Sequence, residues 1–507
     1  MSVLIRKLKS LSPLKLNAIA NYAGNIWSNL LSFLLVPVYL QYLGAETYGL
    51  IGGFYAVISF IRLLDLGLSA TIKREVALRN SAEEKISTIP DLLRTAEIIY
   101  WCTGTLILLL MVLLAKPIST QWINGENIDL ETVQWAVIIL GLTVAIRWPV
   151  TTYRGILIAL EKQVQLNILE GIARTVRELG AVAMLVIISP TIIAFLLWQA
   201  FIAVLEVFFM MVFAWRYVPK IENRASFKIE ILQEIWRFAA GISWTTIVSI
   251  ILAQIDKILL IKFVSLEQFG YYMLASTLAQ KLSIIFQPFV VAISPQIIKL
   301  AAQADEQRFI KFFHKSSLFI SLAITPIASV LIFFAPIILE LWTQSSDVGS
   351  QASGILAMLT FGAMLDSLYN ISYQIQLAIG KPQIGATFNT VSVFFVIPAM
   401  LYVVPELQLF GAALIKTVMN ILYYLVLSRI THRYILHKEH RRWLIQDTLI
   451  PILICFTVFF IASQVQIFFT DKLFTVLCIL SGIIISYGIL LMWYKYQVKI
   501  RSQMVSN

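Results

Sequence analysis

The chain has 507 residues, of which 59% are hydrophobic and 13% are charged. Soluble domains carry about 25% charged residues, so this composition excludes a soluble globular protein and indicates a polytopic membrane protein. The formal net charge is +11, but most basic residues lie in short segments between apolar spans, where they orient a protein in the membrane. We therefore interpret them as topology signals and expect no nucleic-acid partner.

The N-terminal segment 1–16 is basic and amphipathic, with Arg6, Lys7 and Lys9 among apolar residues. It lacks an apolar core followed by a small-residue cleavage site, which a removable signal peptide requires. We therefore expect a helix that lies in the cytoplasmic interface of the membrane.

Fourteen apolar spans follow, each long enough to cross a hydrocarbon core of about 30 Å as a helix. They cover, within a few residues at each end, 16–40, 47–71, 92–115, 132–153, 166–189, 191–215, 237–262, 268–295, 316–343, 353–377, 383–404, 407–428, 447–468 and 473–494. The connections after even-numbered spans are basic, as at Lys73 and Arg74, whereas the opposite connections carry mainly acids. This asymmetry predicts that both termini are cytoplasmic.

The two halves of the sequence resemble each other. Glu46 precedes the pair Tyr48-Gly49 in the first half, and Glu267 precedes the pair Phe269-Gly270 in the second. An even number of spans separates the copies, which makes the repeat parallel. We predict an all-α polytopic membrane protein with two pseudo-symmetric six-helix lobes at 1–215 and 216–430, followed by two helices and a cytoplasmic tail at 431–507.

The span 166–189 contains Glu170, Arg174, Arg177 and Glu178. Arg177 lies near the middle of the hydrocarbon core, where a charge that faces lipid is costly. One interpretation is pairing within the helix, of Glu170 with Arg174 and of Arg174 with Glu178. The other, which we favour, is a polar lumen that handles a charged substrate.

The cysteines offer no cofactor or metal site, and a metal site at the histidines is the less favoured of two alternatives. The three cysteines lie in apolar runs without disulfide or zinc spacing. The histidines lie in basic connections, and we interpret them as solvated loop residues. These residues are Cys102, Cys455 and Cys478, with His314, His432, His437 and His440.

Four segments carry a family resemblance: VPVYLQYLGAETYGL at 36–50, LDLGLS at 64–69, the pair Asp256-Lys257 and SLEQFGYY at 265–272. With the fourteen-span plan, the chain resembles the polysaccharide transporter family, the Wzx-type O-antigen and capsule flippases. That family lies within the multidrug/oligosaccharidyl-lipid/polysaccharide exporter superfamily. The related lipid II flippases carry charges in their first span, where this chain has Asn17, Asn21 and Asn25. Lipid II is therefore the poorer expectation for the cargo.

The resemblance implies a central cavity that opens alternately to each face of the bacterial inner membrane. Its cargo is an undecaprenyl-pyrophosphate-linked oligosaccharide, moved without bond chemistry for O-antigen, capsule or a related polymer. Membrane lipid is a further partner, and a polymerase and a chain-length regulator are candidate partners.

A pyrophosphate needs cationic partners to cross hydrocarbon. We predict that seven residues line the lumen as cations: Arg62, Arg147, Arg174, Arg177, Lys257, Lys281 and Lys416. For Arg147 and Lys257, which lie near span ends, extension of the side chain to the membrane interface is an equal alternative. Carboxylates within spans can bind a coupling ion or proton, or can pair with a base. These candidates are Asp65, which can also pair with Arg62, together with Glu206, Asp256 and Asp366.

Aromatic residues in the spans can stack against sugars or pack in the core. The candidates for stacking are Tyr22, Trp27, Trp244 and Tyr369, whereas we assign Trp122, Trp342, Trp443 and Trp493 to the membrane interface. The two C-terminal spans are uncharged between 449 and 470 and between 473 and 493. They either bound a groove for the polyprenyl tail or simply pack.

Two other functions compete with the flippase. A cation-coupled exporter of small amphiphiles would use Glu206 and Asp366 as cation sites. A membrane-bound polymerase or ligase would need external catalytic residues, for which Glu126, Asp129 and Glu131 are the candidates. No hydrolase, metalloprotease or phosphate-loop motif is present, and we predict a transporter and not an enzyme.

Overall fold

The computed structural model of the protein describes residues 13–65, 67–123, 125, 127–220, 224–303, 305–436, 438–467 and 472–506. The interfacial helix expected at the N-terminus and the candidate Glu126 lie largely or wholly outside these ranges. The described residues are almost entirely helical and contain no strand. This confirms the all-α polytopic class.

The chain divides into two compact units, Met1–Gly270 and Tyr271–Asn507. The lobes expected at 1–215 and 216–430 stay a prediction. The helices of the first unit are α1 Pro13–Ile61, α2 Leu68–Asn80, α3 Ile89–Pro117, α4 Leu130–Arg147, α5 Val150–Ala159, α6 Gln163–Ala183, α7 Ile192–Tyr217 and α8 Ile229–Phe263. Helix α9, Leu266–Gln280, begins in the first unit and ends in the second.

The helices of the second unit are α10 Leu282–Ala302, α11 Glu306–Phe333, α12 Ala335–Thr343, α13 Ser346–Ala378, α14 Gln383–Leu422, α15 Ser428–Ile435, α16 Ile450–Ile467 and α17 Lys472–Ser506. Residues 438–449, hereafter the connector, join α15 to α16. They contain a single turn, His440–Arg442, followed by a π-helical stretch, Trp443–Leu449.

Ten helical segments among the described residues are long and apolar enough to cross a membrane. Two of them each cover two predicted spans. Helix α1 has 49 residues and would be about 74 Å long if straight, more than twice the thickness of a hydrocarbon core of about 30 Å. It breaks at Gly44, whose φ is 77°, and α14 breaks in the same way at Gln408, with φ 48°. The count of fourteen is not itself confirmed.

Two glycines of the predicted repeat touch each other in the first unit. A Cβ on Gly49 would lie 2.1 Å from the carbonyl oxygen of Leu266 and 2.9 Å from the amide nitrogen of Gly270. A Cβ on Gly270 would lie 2.2 Å from the carbonyl oxygen of Ala45. The backbones of α1 and α9 therefore approach each other at the two aromatic-glycine pairs, where only glycine fits.

Helix α11 carries a stripe of small polar residues at intervals of four. The members of the stripe are all buried, and they are Ser317, Ser321, Thr325 and Ser329. Thr325 Oγ1 lies 3.5 Å from Cys455 Sγ on α16. Small side chains allow membrane helices to pack closely, so the stripe positions α16 against α11.

The two C-terminal helices pack on α11 and are also exposed. Phe459 on α16 and Leu490 on α17 share a buried apolar cluster with Phe334. Other faces of the pair are exposed, as at Leu453 and Ile484. The proposed groove for a polyprenyl tail stays a prediction.

Two sequence interpretations of the connecting segments are wrong. His314 and His432 are buried and not solvated, because carboxylates of the connector and the hydroxyl of Ser372 provide hydrogen-bond partners for them. Trp443 is also fully buried, since it packs against Tyr424 and His432 instead of lying at the membrane surface.

Candidate functional site

Helix α6 carries the buried charges of the first unit. Its apolar residues Ile168 and Ile172 are exposed, and its polar face contacts α1 and α7. Glu170, Arg177 and Glu178 on that face pair with other helices. Glu170 accepts from Arg154 of α5 at 3.2 Å, and Glu178 accepts from the Tyr39 hydroxyl of α1 at 2.7 Å.

The interpretation that Glu170, Arg174 and Glu178 pair along their own helix is therefore wrong. Intrahelical pairs between exposed side chains contribute only about 0.2–0.5 kcal/mol. Partners on neighbouring helices also satisfy charges that would otherwise be buried alone. The polar stripe is consequently a contact surface between helices as well as a candidate lumen.

Glu206 on α7 holds two arginines. Its side chain is only 6% exposed and forms an ion pair with Arg177, which is 11% exposed. Arg147 of α4, which is 40% exposed, places its Nε 3.0 Å from Glu206 Oε2 and its Nη2 3.3 Å from Oε1. One buried carboxylate therefore faces two guanidinium groups, which agrees with the structural-pairing alternative for Glu206.

Two further arginines near this group form no ion pair with a described residue. Arg174 forms no ion pair with any residue that the structure describes, and its buried Nε has no hydrogen-bond partner. Arg62, exposed just beyond the end of α1, interacts electrostatically with Arg147 and Arg154. We define the arginine cluster as five arginines and three glutamates, a net charge of two positive: Arg62, Arg147, Arg154, Arg174 and Arg177, with Glu170, Glu178 and Glu206.

The first half of α1 places amide and aromatic groups beside α6. Asn21 donates to the side chain of Gln163 at 3.1 Å, and Trp27 Nε1 donates to Thr175 Oγ1 at 2.8 Å. Trp27 is nevertheless half-exposed, and Tyr22 is partly exposed. Trp27 therefore keeps exposed aromatic surface next to the arginine cluster, whereas a stacking role for Tyr22 stays a prediction.

Asp65 has a structural role that the sequence did not reveal. Its carboxylate accepts from the Ser69 backbone amide at 3.3 Å and from the Ser69 hydroxyl at 2.8 Å. It also accepts a short hydrogen bond from the Tyr100 hydroxyl. Asp65 thus caps the start of α2 and ties it to α3, and it does not pair with Arg62.

Glu97 is a second acid that joins helices through hydrogen bonds, and it is not among the residues predicted from the sequence. Glu97 is 3% exposed and accepts from Tyr153 at 2.9 Å, Trp215 at 2.7 Å and Arg94 at 2.9 Å. Its position inside the span 92–115 was the available signal. The three donors come from α3, α5 and α7, so Glu97 holds these helices together.

The remaining candidates of the first unit lie on α8. Asp256 and Lys257 are buried, and Lys257 Nζ donates to Gln254 at 3.2 Å. Lys257 also lines a narrow cavity with Trp122. Trp244 is exposed, and its role in stacking stays a prediction.

The candidates of the second unit form a separate set. Asp366 on α13 interacts electrostatically with Lys416 on α14. Tyr369 is buried and stacks on Tyr423, with ring centroids 5.9 Å apart, in agreement with the core-packing alternative. Lys281 lies at the junction of α9 and α10. The predicted cationic ring draws on residues of both units and stays a prediction.

The fold and these buried ionisable groups define a multi-pass membrane protein of the transporter type. The family model for polysaccharide biosynthesis proteins matches residues 14–301, more than half of the chain. The chain therefore belongs to this family, which confirms the resemblance seen in the sequence.

A putative O-antigen transporter of Shigella flexneri is 20% identical over 412 residues, 81% of this chain and 96% of its own length. The solved structure of a lipid II flippase, MurJ in an inward closed conformation, is 16% identical. The match has a TM-score of 0.72 and covers 95% of this chain and 99% of that one. An inward-facing multidrug resistance MATE family transporter is 16% identical, with a TM-score of 0.62 over 82% of this chain and 94% of its own. These relatives are named as transporters or flippases, in agreement with transport and not enzyme catalysis.

Proposed function

We propose that the protein is a flippase that moves undecaprenyl-pyrophosphate-linked oligosaccharides across the bacterial inner membrane, for O-antigen, capsule or a related polymer. The observation that carries the proposal is the arginine cluster, in a chain that belongs to the polysaccharide biosynthesis family. The likeness to a putative O-antigen transporter supports this cargo class.

The cluster suits a pyrophosphate because some of its arginines form ion pairs with an acid and others do not. Glu206 neutralises part of the charge of Arg147 and Arg177, whereas Arg174 forms no ion pair with a described acid and interacts with Glu170 only electrostatically. A guanidinium group can contact a phosphate through two parallel hydrogen bonds. We assign the first phosphate contact to Arg174, with Arg62 and Arg147 as supporting cations.

The other parts of the cargo need different surfaces. Trp27, next to the cluster, offers an exposed aromatic face for a sugar ring, and Tyr22 on the same helix is a second candidate. The exposed apolar faces of α16 and α17 are compatible with a polyprenyl chain. Transport then requires alternating access, in which the cationic site faces one leaflet at a time, with both termini in the cytoplasm.

A substitution of Arg174 tests this proposal in cells that lack the gene. We expect the deletion strain to accumulate a complete lipid-linked repeat unit, measured by mass spectrometry of extracted lipids, and to lack the surface polymer. Wild type and Arg433→Gln, which changes an exposed arginine of α15, should restore the polymer. Arg174→Gln should restore it at least about tenfold less well, because a hydrogen bond to a charged group contributes about 1.5–3 kcal/mol.

The outcome of the deletion distinguishes the two transport functions. If the deletion strain retains no lipid-linked intermediate and makes full-length polymer, the flippase proposal is wrong. The cation-coupled exporter of amphiphiles would then be favoured. Its candidate is Asp366, which Lys416 balances electrostatically, and Asp366→Asn should abolish the dependence of export on the proton gradient.

A further inference from the structure

The second unit contains a buried cluster of histidines and carboxylates that the proposed function does not use. His314 on α11 is 1% exposed, and Asp447 in the connector is fully buried. His314 Nδ1 makes a short hydrogen bond with Asp447 Oδ2. On the opposite edge of the ring, His314 Nε2 lies 2.8 Å from Glu439 Oε2.

The hydrogen bonds at the two ring nitrogens determine how many protons the His314 ring carries. A neutral imidazole has one N–H donor and one acceptor nitrogen, whereas an ionised carboxylate only accepts. Two ionised carboxylates on the two nitrogens of His314 are therefore satisfied only by an imidazolium, which donates from both. A neutral ring would leave one nitrogen lone pair facing a carboxylate in a buried site, which is costly.

The charges around the cluster agree with a protonated His314. Arg442 Nη1 lies 3.7 Å from Glu439 Oε2. Among the four groups His314, Arg442, Glu439 and Asp447, an imidazolium gives two positive and two negative charges. Lys311 and Lys315 of α11 are exposed. Because a buried site tolerates little net charge, the balance favours the extra proton.

A neighbouring pair of histidines completes the set of titratable groups. His432 Nδ1 of α15 lies 3.1 Å from His440 Nδ1 of the connector, and His432 Nε2 lies 2.9 Å from Ser372 Oγ of α13. The ring of Phe313 packs against both His314 and His432, at centroid distances of 5.3 Å. This pair has no carboxylate among these contacts, so it does not require an extra proton in the way that His314 does.

The position of the cluster links the proton to a contact between helices. Glu439 and Asp447 lie in the connector, which leads directly into α16, and His314 lies three residues before the small-residue stripe of α11. The cluster therefore fastens the connector at one end of the α11–α16 contact. Its loss would leave that contact dependent on helix packing and on the contact of Thr325 with Cys455.

We propose that His314, Glu439 and Asp447 form a proton-binding site, in which a proton on His314 fastens the connector and the C-terminal helix pair to α11. The proton is bound in the fastened state, so fastening is favoured at low pH. The proton dissociates when the pH rises above the value at which the folded site is half-protonated. Release of the connector and release of the proton are then one coupled event.

The protonation state of His314 can be measured directly. We expect the ¹⁵N spectrum of histidine-labelled, full-length protein in lipid nanodiscs to show, at pH 7, one imidazolium with both nitrogens protonated. His314→Gln should remove this signal, whereas His440→Gln should keep it. A spectrum in which the signal lost in His314→Gln belongs to a neutral ring overturns the proposal.

Amide hydrogen exchange tests the mechanical consequence. After correction for the intrinsic effect of pH, exchange in 443–460 of the wild type should become at least about tenfold faster above the transition, since a hydrogen bond to a charged group is lost. His314→Gln should exchange at the faster rate already at pH 7 and show no transition. Asp305→Asn, which changes a partly exposed carboxylate that caps α11, should behave as wild type.

A more conservative variant keeps the test decisive if His314→Gln does not fold. Glu439 is 21% exposed, and Glu439→Gln keeps the side-chain shape while removing one carboxylate. With one negative charge fewer, His314 should release its proton at lower pH, so the exchange transition should move to lower pH. An unchanged transition in Glu439→Gln shows that this cluster does not hold the proton.

Discussion

Among single residues, Glu206 determines whether the arginine cluster is stable. It is the acid shared by Arg147 and Arg177, and Arg177 is itself largely buried. Removing one partner of a buried pair costs about 3–5 kcal/mol, because the other charge remains buried and uncompensated. We expect Glu206→Gln to lower the thermal unfolding temperature of the purified protein, whereas Glu206→Gln with Arg177→Gln recovers part of the loss.

Glu170→Gln is the matched control for this measurement. Its partner Arg154 is 55% exposed, and exposed pairs contribute about 0–1 kcal/mol, so the unfolding temperature should change little. Equal unfolding temperatures for wild type and Glu206→Gln, together with lost transport, would contradict a stabilising role. They would support the coupling role that the sequence suggested as an alternative.

The sequence predicted which residues of α6 are polar and buried, but not their partners. The period of a helix places Glu170, Arg174 and Arg177 on one face. The partners Arg154, Glu206 and Tyr39 lie on three other helices. Tertiary packing sets which helices are neighbours, so local spacing could suggest only the intrahelical pairs, which do not form.

At the scale of helices, the contact between α1 and α9 depends on glycine. A Cβ at Gly49 would overlap the Leu266 carbonyl oxygen, which belongs to the backbone and cannot rotate away. We expect Gly49→Ala to destabilise the protein by about 1–3 kcal/mol, the usual cost of overpacking. Thermal unfolding of the purified variant measures this loss.

Gly171→Ala provides the comparison, because nothing lies within 4 Å of the added Cβ. In a helix interior, alanine is favoured over glycine by about 0.5–1 kcal/mol. The two substitutions should therefore shift the unfolding temperature in opposite directions. An increase in the unfolding temperature for both variants would show that the close approach at Gly49 is relieved by movement of α9.

A second helix contact depends on the small residues of α11. Ser321 is completely buried in the stripe that faces α16. Ser321→Leu should separate α11 from α16 and lower the unfolding temperature, again by about 1–3 kcal/mol of stability. Ser463→Leu, at a partly exposed position of α16, should change it much less. Similar losses for both would mean that the stripe does not set the helix separation.

For the molecule as a whole, the sequence predicted the class well and the element boundaries less well. All fourteen predicted spans overlap helices, because long apolar segments are the strongest signal in a membrane sequence. The breaks at Gly44 and Gln408 are only single residues. Helix α6 carries four charged residues, so length and apolar composition alone do not identify it as a membrane-spanning helix. Hydropathy therefore predicts where helices form more reliably than how many crossings they make.

The orientation of the molecule is the prediction that rests most directly on charge. Lys85 and Glu131 lie on opposite sides of α3, a helix of 29 residues, or about 43 Å, long enough to cross the membrane. In a variant with Cys102, Cys455 and Cys478 replaced by alanine, we expect a membrane-impermeant maleimide to label Glu131→Cys in intact cells. Lys85→Cys should react only after permeabilisation, because basic connections stay in the cytoplasm.

Each departure from this labelling pattern has a distinct physical meaning. The reverse pattern would show that the basic connections face outward, and both termini would then lie outside. Labelling of both positions from one side would mean that α3 does not cross the membrane. The proposed flippase takes up its pyrophosphate-linked cargo at the cytoplasmic leaflet, and only the expected pattern places Lys85 and the basic connection 72–91 on that side.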